Sequence, residues 1–484
     1  MSIPFSHLPV MWSLAQRRGN SIPSWAGLLV MTELRTDQDS LGAVCVPKDA
    51  LYGAQTQRSL QLFPNSCGQT MSAYPQLMTA MLHVKRAAAR TNMSIGALSA
   101  VQASAVNAAI DHALTQPLED LFPIHSYHGG GGVGLNMNVN EVLANIANFQ
   151  TFGTPLGSNA PLHPNDHLNL NHSTSDCLAT ACHIAARAAW AELETELLGL
   201  VADLNHHAEQ MGTQPKLART CLQDAVDIRA SDYFGGVAHN LMQLTQRCGN
   251  DTHHLAAVNL GGNIIGRTGD CDPEFFDQII DQLNAVLKQA GLPHDLSRVD
   301  NLFAASQAHN ALQNLVASLE QIARTLIRFG GDLRLMASGP MSGFDELTLP
   351  VVQPGSSAIP GKINPTIPEF TMQSAMMACG RAATARMTVD QGELDYNPWQ
   401  MLLITALLDM IGLLRSGVDT LRRNCVQGLM LNVQRNTENA QGLVPSLMQL
   451  KRQVGYARAS EIAKQADGDL AVVHAALSKT KDAS

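Results

Sequence analysis

The 484-residue chain is 45% hydrophobic and 15% charged, with a formal charge of −9 and no basic run, which excludes a nucleic-acid-binding module. Its length permits a large buried core and excludes a small stapled domain. The nine cysteines, at 45, 67, 177, 182, 221, 248, 271, 379 and 425, form no Cys-x-x-Cys and no Cys/His ligand cluster, so no disulfide framework and no structural zinc is expected and a reducing cytoplasm fits.

In chain order, residues 1–30 contain Arg17 and Arg18, no acid, and a short apolar stretch broken by Pro23. They loosely resemble a transit peptide, and equally an extension ahead of a start at Met31-Thr-Glu-Leu34. Apolar residues then recur at three-to-four spacing from Leu178 to Met211, Asn301 to Phe329, Ile367 to Met387 and Trp399 to Leu429, which predicts long helices. The last would run about 45 Å at 1.5 Å per residue. It contains Asp409, Arg415 and Asp419, which a bilayer would not accept unpaired, so it reads as a buried helix and no membrane partner is expected. Short β-prone runs are scarce. Loops rich in Gly, Pro, Asn and Asp span Phe122 to Gly134, Gly153 to Asn171, Gly261 to Pro273 and Ala337 to Pro365. Helices this apolar predict a bundle that packs against other subunits, a single large helical monomer being the alternative.

The chemistry concentrates in Gly355-Ser-Ser-Ala-Ile-Pro-Gly-Lys-Ile-Asn-Pro365, where glycines and prolines surround two hydroxyls, a cation and an amide. Serine is a poor base in water, but its oxyanion can be stabilised by Lys362 and backbone N–H groups. The same run also suits a plain Gly/Pro turn. This loop resembles the catalytic loop of fumarases and aspartases. Leu51-Tyr-Gly-Ala-Gln-Thr-Gln-Arg58, Asn136-Met-Asn-Val-Asn-Glu-Val142 and His163-Pro-Asn-Asp-His167 agree in order and spacing, and Gly455-Tyr-Ala-Arg-Ala-Ser-Glu-Ile-Ala463 resembles a class II fumarase tail.

The resemblance to the aspartase/fumarase superfamily implies a mostly α fold, with a central long-helix bundle and a homotetrameric, twenty-helix core. It implies an N-terminal extension at 1–38, an N-terminal domain at 39–172, a central helical domain at 173–430 and a small C-terminal domain at 431–484. Three motif regions from three subunits would meet in each active site. By this match Ser356 is the base, Lys362 and Asn364 bind the substrate carboxylate, and Glu369 is the acid that partners the family's histidine. Asn136, Val133, Ser173, Thr174, Ser175, Thr220 and Cys221 fall at substrate-binding positions. No cofactor and no metal is implied, the spacing of His163 and His167 being part of the His-Pro-Asn-Asp motif.

Several positions depart from the family. Cys221 stands where the family has histidine, as a small neutral contact rather than a nucleophile. Val133 and Leu135 replace hydroxyl residues, and Ser175 replaces an asparagine. His172 is new, with either an ordinary structural hydrogen bond or a polar role in the site. Arg267 is either a carboxylate partner or a solvated loop charge, Met341 stands where arginine is common, and the glycines 129–132 could face an anion. The expected activity is therefore a lyase acting by anti β-elimination on a succinate-like dicarboxylate, with altered leaving-group specificity. The alternative is a catalytically weak or inactive tetrameric homologue with a binding or structural role.

Overall fold

The computed structural model describes residues 33–63, 68–267 and 269–481. Residues 1–30 and Met31, read above as a possible extension and start, lie outside them. The chain opens with a hairpin of β1 (Leu34–Asp39) and β2 (Gly42–Pro47), followed by α1 (Ala54–Leu62), α2 (Pro75–Ser94), α3 (Ala100–Ala113), the single turn α4 (Leu118–Leu121) and α5 (Val133–Phe152). Leu34 to Asp39 pair in register with Pro47 to Gly42, so β1 overlaps the extension expected at 1–38.

The long α6 (Thr174–Met211) leads through the hairpin β3 (Pro215–Thr220) and β4 (Gln223–Arg229) into α7 (Ala230–His254). Next come β5 (Ala257–Val258), α8 (Pro273–Gln289), β6 (Ser297–Arg298), α9 (Leu302–Gln307) and α10 (Asn310–Met336). The strand β7 (Leu347–Thr348), α11 (Thr366–Val389), α12 (Gln400–Asn424), β8 (Met430–Leu431) and the short helices α13 (Val433–Ala440), α14 (Leu443–Val454), α15 (Tyr456–Ala466) and α16 (Leu470–Lys481) complete the chain. Among the described residues the four sheets have two strands each.

The bundle of α6, α7, α10, α11 and α12 follows the predicted periodicity, with α11 packed between α10 and α12 and α6 lying against α7 and α12. Helix α6 has 38 residues, and its start is fixed by a capping box in which Ser173 and Asp176 exchange bonds with each other's backbone. Two predicted bounds shift. The run 301–329 is broken at Ala308 and His309 between α9 and α10, and the run 399–429 ends at Asn424. The apolar segment 400–428 is long and apolar enough to cross a membrane, but 67% of its most apolar window is buried in the bundle. One core runs from Met71 to Leu429 across the expected 172/173 boundary, while Leu450, Ile462 and Val473 belong to a separate small core near the C-terminus.

Helix α5 has no amphipathic face because nearly all of it is buried, polar residues included. Those residues clamp loops. Asn138 donates to Leu121 O at 2.9 Å, Asn145 to Leu51 O at 2.9 Å, and Asn148 exchanges two bonds with Leu162. The Glu141 carboxylate accepts from the backbone N–H of Gly53, Gln55 and Thr56 and from the Thr56 hydroxyl at 2.7–3.1 Å. Helix α1 has no side-chain N-cap of its own, so a carboxylate 85–88 residues away fills that role. This joins the motifs at 51–58 and 136–142. Glu141→Ala would leave the donors buried and unpaired, and we expect it to lower unfolding stability by about 3 kcal/mol in urea titration, with Glu141→Gln costing less.

Candidate active site

The site residues fall into three groups within one chain. The first surrounds the N-termini of α5 and α6. Helix α5 starts at Gly132, whose φ of +88° is left-handed, and a Cβ there would lie 2.1 Å from Leu178 Cδ2, so glycine is required twice over. Val133 is 48% exposed while Leu135 is fully buried, so only the first of these two apolar replacements faces outward. Asn136 donates to Thr174 Oγ1 and to Asn169 Oδ1, both at 3.0 Å. Ser173 caps α6, and Ser175 donates to the carbonyls of Asn263 and Ile264 at 3.1 and 2.6 Å. The amide lost at Ser175 is thus replaced by a hydroxyl turned toward backbone.

Beneath this group lie His172 and two residues that the sequence reading does not select, Lys85 and Asp176. Lys85 is 1% exposed and its Nζ donates to Leu168 O, Asn169 Oδ1 and His172 Nε2 at 2.9–3.2 Å. His172 Nδ1 lies 2.8 Å from Leu170 O, so the ring donates there and accepts from Lys85. Burial holds the Lys85 and His172 pKa values down. His172 has the structural bond that was one of its two readings. Asp176 is fully buried and accepts from the N–H of Ser173, Gly261 and Asn263 at 2.8–3.0 Å, which docks the 259–263 loop on α6. Only the Ser-Asp pairing at the helix start hinted at it.

The second group is the tip of the β3–β4 hairpin, where Thr220 and Cys221 are both exposed. Cys221 and Leu222 have φ of +52° and +60°, a two-residue turn that usually draws Asn or Gly. The hairpin is held by the buried Glu346 carboxylate, which receives Lys216 Nζ at 3.0 Å and Arg219 Nη1 at 2.7 Å. Arg219 also stacks over the Phe344 ring.

The third group is the loop 355–365. Ser356 Oγ accepts from the N–H of Ala358 and Ile359 at 3.2 and 2.9 Å. Asn364 Nδ2 donates to Gly355 O, and Gly355 N to Lys362 O, closing the loop on itself. A Cβ on Gly355 would lie 2.3 Å from Lys362 O, so only glycine permits that approach. Lys362 is exposed, and among the described residues its ammonium has no hydrogen bond or ion pair. Glu369, in the first turn of α11, lies 3.3 Å from Arg334 of α10.

The structure brings Asn136, Ser173, Thr174 and Ser175 together. Among the described residues no hydrogen bond or ion pair joins this group to Cys221 or to Ser356, nor Cys221 to Ser356. Arg267 binds Asp270 within its own loop and its side chain is 73% exposed. Met341 is 95% exposed.

Burial pushes the Asp176 pKa from 3.8 up to about 6. The folded value lies above the unfolded one, so the stability contributed by the protonated group is fully present below pH 3.8 and lost as pH rises through about 6. Relative to Asp176→Asn, which does not titrate there, the wild type should lose about 2 kcal/mol between pH 4 and pH 7 in urea titrations.

Comparison with known proteins gives the same picture over most of the chain. A family model described as a lyase matches residues 42–380. A class II fumarate hydratase of Pseudomonas aeruginosa is 35% identical over 91% of this chain and 94% of its own, and an aspartate ammonia-lyase of a Bacillus species is 31% identical over 90% and 91%. The native form of fumarate lyase:delta crystallin from Brucella melitensis superposes with a TM-score of 0.84 at 35% identity, covering 91% of this chain and all of that one. With the helical bundle and the loop at 355–365, these matches establish that the chain belongs to the aspartase/fumarase superfamily of lyases.

Proposed function

We propose that the chain catalyses anti β-elimination from a succinate-like dicarboxylate to give fumarate or an analogue, with altered leaving-group specificity. The observation that carries this is the pair of backbone N–H groups pointing at Ser356 Oγ. They stabilise the serine oxyanion and lower the cost of making it, which a hydroxyl needs to act as a base. In the reaction Ser356 takes the proton from the carbon beside a substrate carboxylate. The C–H electron pair becomes the new double bond, and the bond to the leaving group breaks on the neighbouring carbon. Lys362 and Asn364 bind the carboxylate on which negative charge develops.

The three separated groups support a site shared between subunits of a homotetramer. Helix α11 supports it too, since Phe370, Met377 and Met387 lie along one exposed side that α10 and α12 leave uncovered. We place this cofactor-independent enzyme in the cytoplasm, with a small dicarboxylate as its partner and neither nucleic acid nor membrane. Ser356→Ala should lower kcat by about 10²-fold or more with thermal stability near wild type. Reassembled with Asn136→Ala, it should regain turnover in mixed tetramers, and a monomer in light scattering would refute the shared site.

The leaving-group side has lost hydrogen-bonding side chains at Val133 and Cys221. Glu369, expected to partner a histidine, instead has Arg334 as its countercharge. A weak or inactive homologue is favoured by the cysteine alone. Cys221 has the left-handed backbone that histidine tolerates better than most residues. Cys221→His should therefore fold and raise fumarate hydration above a poor native level, and native kcat/KM for fumarate of about 10⁴ M⁻¹s⁻¹ or more would refute altered specificity.

A further inference from the structure

A cavity of about 480 Å³ opens beside the start of α5, within the range of about 300–1,000 Å³ typical of small-molecule sites. Its lining includes Tyr127, Tyr396, Trp399 and Leu402 and the glycines 129–131. The Tyr396 hydroxyl reaches Gly131 O at 3.4 Å and receives Gln400 Nε2 at 2.8 Å, while Trp399 Nε1 donates to Gln391 O at 2.8 Å, so two of the rings are fixed. A Cβ on Gly129 or Gly130 would meet nothing within 4 Å. Gly130 has a left-handed φ of +86° that its turn requires, whereas Gly129 lies outside that region, so at Gly129 the missing side chain leaves open space with no backbone conformation to account for it.

The cavity adjoins the proposed substrate region through the chain itself. Gly131 is two residues before the exposed Val133, and Asn136 follows one helical turn later. Its lining carries one formal charge, the Glu393 carboxylate, because burial holds the His128 pKa below the usual histidine value. A second anion is disfavoured there, and an aromatic or aliphatic group is favoured.

We propose that this cavity receives an apolar substituent of about phenyl size on the dicarboxylate, so that the substrate is a branched, aryl- or alkyl-bearing succinate rather than a plain four-carbon acid. This rests on the elimination reading above and names its substrate class.

The test uses the full-length protein with 2-benzylsuccinate and succinate as calorimetric probes. Burying the ring should make benzylsuccinate bind at least tenfold more tightly. Gly129 lies outside the left-handed region, so Gly129→Leu can adopt its backbone, and its side chain should fill the cavity and abolish the preference. If succinate binds and benzylsuccinate binds no better, or if the preference survives in Gly129→Leu, the cavity inference is overturned and the elimination reading stands. If neither acid binds, both fall. Should Gly129→Leu not fold, the fluorescence of Trp399 decides: benzylsuccinate but not succinate should shift the wild-type emission, and the shift should vanish in Trp399→Phe. No shift with bound benzylsuccinate overturns the inference.

Discussion

Two buried carboxylates, Glu141 and Asp176, each accept three backbone N–H bonds, all of Glu141's and two of Asp176's coming from segments far away in sequence, and the proposed substrate groups take their positions from them. A carboxylate in a dry interior is costly unless its lone pairs are filled. Each therefore holds its partner loop in one arrangement. Glu141 fixes the entry to α1 from the middle of α5, while Asp176 fixes the 259–263 loop against the first turn of α6. Between them lie Asn136 and Thr174, bonded to each other and resting through Asn169 on the buried Lys85 ammonium. The site proposed for a dianion thus rests on a floor with one buried cation and no carboxylate in ion-pair contact with it among the described residues.

The loop 355–365 follows the opposite rule. It is exposed, closes on itself through Gly355, Lys362 and Asn364, and touches neither of the other two groups through a hydrogen bond or ion pair among the described residues. Such a loop can be complete in its own geometry and still need a surface to work against. The exposed methionines and Phe370 of α11 are apolar area that a second chain would remove from water. Rigid groups on bundle ends and an internally bonded loop together suit assembly between chains, because each subunit then brings a preformed part.

The bundle helices were the most legible part of the sequence, since Ile367–Met387 and Trp399–Leu429 carry an apolar period that tertiary packing preserves. Helix α5 is not legible in that way. Its asparagines at 136, 138, 140, 145 and 148 look like a polar surface, yet most are buried clamps on loops, so burial and polarity do not alternate. The β3–β4 hairpin is hidden for another reason. Cys221-Leu222 has none of the usual turn residues, and the turn is imposed from outside by Lys216 and Arg219 on Glu346, about 130 residues further on. The loop 355–365 was visible because its glycines, hydroxyls and lysine are contiguous. Lys85 and Glu346 are isolated single residues whose meaning exists only after folding, and of Asp176 only its capping of α6 is hinted at by Ser173.

The changes at the positions proposed for the leaving-group side share one physical direction. Val133 has no hydrogen-bonding atom, Ser175 turns its hydroxyl to two carbonyls, Cys221 offers a small weak donor, and the glycines before α5 present no side chain. A pocket built to hydrogen-bond a hydroxyl or amine rejects analogues that lack one, by leaving its own polar groups unpaired. A pocket from which those groups have been removed has no such penalty and discriminates by volume and apolar contact instead. In the proposed reaction the retained Ser356, Lys362 and Asn364 act on the part that all its substrates share, the acidic C–H and its carboxylate. Specificity can therefore change at 129–133, 175 and 221 without disturbing proton abstraction, because the two tasks are carried by separate segments of the chain.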